Sequence, residues 1–177
     1  MKYIVKKFIE ANIELVDNYN FEEFYNKATK ELNVECISDI SAMFHSIGVY
    51  PYKMLKKIPF GYYAHLPDKI LHVGSNVKEI AKHAFGFSSI EKLIIDEGCV
   101  SIKFEAFNYC DKLNYIVLPK SLEIIEKRAF SNISPEIVDI HYNGTKADWR
   151  AIDKKDAFQY ISYIVHCLDG DIKQIKK

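Results

Sequence analysis

The sequence predicts an α+β chain. Its centre is a short repeat solenoid of about three to four coils, preceded by a helical cap and followed by a helix-and-hairpin cap. Three observations predict it. A phrase Ile-x-x-x-Ala-Phe stands at residues 80–85, 102–107 and 125–130, so its Phe (85, 107, 130) recurs after 22 and then 23 residues. Short β-like runs alternate with the phrase: ILHV (70–73), KLIID (92–96), YIVLP (115–119) and VDIHY (138–142). The residues before the array show helical periodicity instead. The boundaries that follow are 1–57 for the helical cap, 58–145 for the solenoid and 146–177 for the C-terminal cap.

The N-terminal part is read as helices from spacing. Ile4, Phe8, Ala11 and Leu15 form a stripe at helical period, broadened by Val5, Ile9, Ile13 and Val16, over about residues 3–16. Asn20 precedes a second helix with Glu23 three residues on, and Phe21, Phe24, Tyr25, Ala28 and Leu32 make its apolar face. Ser38 caps a third through Ile40, Met43, Phe44 and Ile47, Gly48 stops it, and Pro51 opens one more turn.

The array begins with a blurred form of the phrase, IPFGYY (58–63), whose Tyr63 lies 22 residues before Phe85. In the last three strand runs the apolar positions follow an L-x-x-L-x-L frame: Ile90, Leu93, Ile95; Leu113, Ile116, Leu118; and Ile137, Ile140, Tyr142. Alternation turns Ile116 and Leu118 inward and Val117 outward. On the return side Ala allows coils to approach, and Phe fills the space between them. One coil cannot bury its apolar edge alone, so stacked coils stabilise one another. Beyond the array, Thr145 caps a short helix, KADWRAI, that lays Trp149 and Ile152 over the last coil. YISYIVHCLDGDIKQI reads as a hairpin turning at Asp169-Gly170.

The phrases VKEIAKHAFGFSSIEKLII, CVSIKFEAFNYCDKLNYIVLP and LEIIEKRAFSN resemble the BspA-type leucine-rich repeats of bacteria and their phages. IHYNGTKADWRAI (140–152) is similar to the segment that often closes such arrays. The resemblance covers about residues 58–170. It implies a right-handed leucine-rich-repeat solenoid that binds other proteins and is not an enzyme. The N-terminal helices resemble caps on small repeat proteins of mobile elements and phages. This points to a phage or mobile-element protein that engages or inhibits a host protein.

Composition narrows the class. Lys plus Arg equals Asp plus Glu at 24 each, so no basic face invites nucleic acid. Lys6, Lys7 and Glu10 interrupt the first apolar run, and no stretch of about 18 apolar residues follows, so neither an export signal nor a membrane span is expected. Cys36, Cys99, Cys110 and Cys167 contain no C-x-x-C pair and read as free thiols of a cytoplasmic protein.

No catalytic constellation emerges. The seven glycines are dispersed, H-E-x-x-H is absent, and none of the six histidines (45, 65, 72, 83, 141, 166) stands four residues from another His or a Cys. Cys110 lacks an identifiable base. The expectation is no catalysis, no cofactor and no metal. Function then falls to the outward strand positions: His72, Ile94, Val117 and His141 in one row, and Ile70, Lys92, Tyr115 and Asp139 in the next. Ile94, Tyr115 and Val117 would form an exposed apolar strip for another protein, or for a second copy in a homo-oligomeric assembly.

Overall fold

The computed structural model describes residues 2–12, 14–15, 21–32, 57–58, 69–134 and 136–175. They fall in two compact units, Met1–Lys56 and Lys57–Lys177. The helix expected from Ser38, its stop at Gly48, the turn at Pro51 and the IPFGYY phrase after Ile58 lie outside the described residues, as do Cys36, His45 and His65.

The first unit contains α1 (Lys2–Ala11) and α2 (Phe21–Leu32). The buried row of α1 differs from the expected stripe. Ile4 is 61% exposed, whereas Phe8 and Asn12, one turn apart, are buried. The Asn12 side-chain amide donates to the Phe8 carbonyl at 2.9 Å. A polar residue that satisfies itself on the preceding turn can occupy a buried face, and a hydrophobic pattern does not reveal it. In α2, Ala28 is fully buried, as its apolar face requires.

The second unit is a parallel β-solenoid of about four turns. Its longer strands are β2 (Ile70–Val73), β4 (Lys92–Ile95), β6 (Tyr115–Leu118), β8 (Val138–Tyr142), β9 (Tyr163–Cys167) and β10 (Gly170–Gln174). They form one sheet in the order β10-β9-β8-β6-β4-β2, parallel except for β10. Two-residue strands, β1 (Lys57–Ile58), β3 (Glu79–Ile80), β5 (Ser101–Ile102) and β7 (Ile124–Ile125), form a second parallel ladder. Strand period puts every second side chain inside: Leu71, Leu93, Ile116, Ile140 and Val165 are in register and fully buried.

Each Ala-Phe phrase is a tight turn bonded to the next. The amides of Phe85, Phe107 and Phe130 donate to the carbonyls of Ala106, Ala129 and Ala157 at 2.8, 2.8 and 2.9 Å. Their rings stack in one column that ends on Phe158. The reversal places residues two before and two after each Phe at positive φ: His83 and Phe87, Glu105 and Tyr109, Arg128 and Asn132, Asp156 and Tyr160. Left-handed backbone costs a non-glycine residue about 1–2 kcal/mol. Ring burial and the inter-coil amide bonds offset that cost.

Two expectations change here. The array does not end at β8, because β9 pairs in parallel with β8 as a further rung. Helix α3 (Lys146–Ala151) therefore sits within a coil, not past the last one. Trp149 is buried between Tyr142 (ring centroids 5.3 Å apart) and Phe158 (5.8 Å). The helix starts as expected, with Thr145 and Asp148 forming a reciprocal capping box. A Cβ on Gly144 would lie 2.5 Å from the buried Tyr142 ring, so a larger residue here would require that ring to shift. Second, Ile137 is 50% exposed instead of inward, while Ile133 and Val138 are buried. The coil from Ile116 to Ile140 is one residue longer than that from Leu93 to Ile116, which shifts the frame before β8.

The C-terminal hairpin forms, with its turn one residue earlier than expected. Cys167 pairs with Gly170, leaving Leu168 and Asp169 as the two loop residues. Neither has positive φ; Gly170 carries it, at 114°. This matches a turn of ordinary hand followed by a glycine that absorbs the strand twist.

Candidate functional site

Parallel register lines up the outward strand positions. Ile70, Lys92, Tyr115 and Asp139 form one row, and His72, Ile94, Val117 and His141 the other. The ladder then extends both rows, to Ile164 and Lys173 in the first and to His166 and Asp171 in the second.

Side chains link across the strands. The Lys92 ammonium sits 4.3 Å from the Tyr115 ring centroid. The Tyr115 ring lies 4.7 Å from that of His141, and His141 lies 4.9 Å from His166. His166 reaches Asp171 through Nδ1 at 3.0 Å and Asp139 through Nε2 at 3.6 Å. At the opposite end His72 Nε2 meets Asp96 at 2.8 Å. A line of cation, phenol, two imidazoles and two carboxylates thus crosses β4 to β10. Such half-exposed pairs add little stability. Their effect is to hold side chains in fixed orientations on an open face.

The face is less apolar than expected. Ile94, Tyr115 and Val117 are half-buried, because neighbouring strands shade the central rungs and Lys92 covers the Tyr115 ring. Ile70, at 60% exposed, is the prominent aliphatic. His166 was not among the expected positions. Its signal is in the sequence, where Ile164 and His166 flank Val165 in phase with Asp139 and His141 around Ile140.

The cysteines do different work. Cys99 and Cys110 are fully buried, and burial pushes both thiols up to about 12. Cys110 Sγ donates to the Phe85 carbonyl at 3.2 Å, tying neighbouring coils together. Neither is a thiolate at neutral pH, so neither is a ready nucleophile. Among the described residues, no group of three or more His, Cys, Asp or Glu side chains could hold a metal ion. Among them, too, no helix is long and apolar enough to cross a membrane.

A family model, the BspA type leucine rich repeat region, matches residues 52–165 in six copies. The chain belongs to the BspA-type leucine-rich repeat family. No curated protein matches it in sequence. Two solved structures are similar at 22% identity. The pneumococcal vaccine antigen PcpA has a TM-score of 0.40 over 51% of this chain and 29% of its own. A leucine rich cell surface protein from Faecalibacterium prausnitzii A2-165 has a TM-score of 0.36 over 49% and 35%. The chain therefore spans about a third of the length of each. In this family's solenoid the repeats build a scaffold with an extended surface, which suggests a protein-interaction module.

Proposed function

We propose that this BspA-type repeat protein binds another protein through the two outward rows of β2, β4, β6, β8 and β9. The observation that carries the reading is the unbroken side-chain line Lys92–Tyr115–His141–His166. Aromatic groups with a polar tip, held rigid and rimmed by charge, suit protein contact, because they add contact area with little loss of side-chain entropy on binding. Ile70 at the margin offers an aliphatic anchor, and the Asp139, Asp171 and Lys173 rim favours one orientation of the partner.

In its finer form the partner is a host protein, and the chain is a mobile-element product acting in the cytoplasm. The repeats' likeness to bacterial and phage arrays supports that form. Affinity capture from a bacterial lysate, repeated with the Tyr115→Ala plus Val117→Asp double variant, tests it. Capture of a defined protein by the native chain and its loss in the variant support the face. If every captured protein persists in a folded variant, the face is wrong.

A further inference from the structure

We infer that β10 is a docking edge for a second copy of this chain, pairing antiparallel about a two-fold axis through Ile172. This goes beyond the strand-face reading and does not depend on it. Among the described residues, β10 has a neighbour, β9, on one side only. Gly170, Asp171, Lys173 and Gln174 are exposed. An open strand edge presents unpaired amides and carbonyls, and proteins commonly guard such edges with charge. Here the guard has two signs, Asp171 and Lys173, and both project to the outer face.

Register follows from those charges. Antiparallel self-pairing must match residues of the same parity, or side chains would oppose the wrong face. Centring the axis on Asp171 places two like carboxylates opposite each other. Centring it on Lys173 does the same with two ammoniums. Both are unfavourable. Centring it on Ile172 sets Asp171 opposite Lys173 of the second copy twice, and Ile172 opposite Ile172. Gly170 then faces Gln174, an uncharged pair, with the Lys146 ammonium beside Gly170. Only this register is attractive throughout.

The end of the solenoid agrees with the edge. Beside β10 lies an open hollow of about 300 Å3 with a mixed lining, apolar at Phe158 and Ile161 and polar at Lys154, Asp156, Gln159 and Gln174. The terminal coil of a repeat array lacks a neighbouring coil on its outer side. Two-fold pairing at β10 brings two of these ends towards each other and continues the six-stranded sheet into the second copy.

Sedimentation of the full chain with charge-swap variants tests this. The native chain is expected to dimerise. Asp171→Lys alone and Lys173→Asp alone each turn two attractive pairs into two repulsive ones and weaken the dimer about tenfold or more. An equimolar mixture of the two single variants, and the Asp171→Lys plus Lys173→Asp double variant, both regain it, because opposite charges again face each other. Restoration in the mixture also shows that the single variants are folded. A native chain that stays monomeric up to hundreds of micromolar overturns the inference. So do single variants that remain dimeric, or a mixture and double variant that both stay monomeric.

Discussion

Phe107 and Phe130 stack with centroids 5.1 Å apart and planes 2° from parallel. In the same step the Phe107 amide donates to the Ala129 carbonyl. Ring and backbone thus repeat the same contact with the same spacing, which is why the phrase carries Ala beside Phe: any larger neighbour would hold the turns apart. With Phe85 and Phe158 the column has four rings, and it defines the solenoid axis on the side away from the candidate binding face.

Phe107→Ala is expected to cost about 3–5 kcal/mol, since it leaves a cavity with rings above and below. Phe158→Ala should cost less, because that ring closes the column with a partner ring from the Ala-Phe series on one side only. Urea unfolding of both variants measures this. A loss below about 1 kcal/mol for Phe107→Ala contradicts the stacked column.

Asp156 is exposed and holds φ 58°. Glycine adopts that conformation without strain, so Asp156→Gly should raise stability by about 0.5–1 kcal/mol despite its more flexible unfolded chain. Asp156→Ala, which keeps the Cβ strain, should not. Thermal melts of the pair separate the two outcomes.

The buried thiols make alkylation a local probe. With folded values near 12 against 9.0 in the unfolded chain, Cys99 and Cys110 contribute stability that is fully present below pH 9 and falls as pH rises towards 12. At about pH 8, iodoacetamide followed by peptide mass spectrometry should modify Cys167, which is partly exposed, well before Cys99 and Cys110. Equal labelling of all three in the folded protein would count against the packing of the coils.

Asp148 titrates in the opposite sense. Hydrogen bonds from the Thr145 amide and hydroxyl hold its carboxyl below the usual 3.8. Its folded value is therefore depressed, and its contribution is present above pH 3.8 and lost as pH falls through the folded value. Asp148→Asn should destabilise the chain at neutral pH. The gap between variant and native protein should close as pH drops below 3.8, and urea midpoints across that range measure it.

The repeat made much of this fold legible. Phe85, Phe107 and Phe130 share a spacing, and the alternation of KLII and YIVL fixed which strand positions face out. Phe158 escaped because α3 lengthens its coil to a 28-residue step and Asp153 stands where the phrase has Ile. The backbone of Asp153 still joins the ladder, pairing in parallel with Ile124 and accepting from the Ile125 amide at 2.8 Å. That contact belongs to the main chain and leaves no mark in side-chain pattern. The left-handed residues were equally hidden, since the usual glycine or asparagine is replaced by His, Glu, Arg, Phe and Tyr at most of these sites. In the candidate face, the rows were readable from period alone. His166 was not, because its strand was taken for a separate hairpin instead of the next rung.

The claim that the strand face is the binding surface is tested most directly by site-specific photocrosslinking. A benzophenone side chain is placed at Val117 on the face and, as a control, at exposed Lys127 on the phrase side. Crosslinks to one partner protein from position 117, absent from position 127, are the expected result. Crosslinks from 127 with none from 117 would contradict the account.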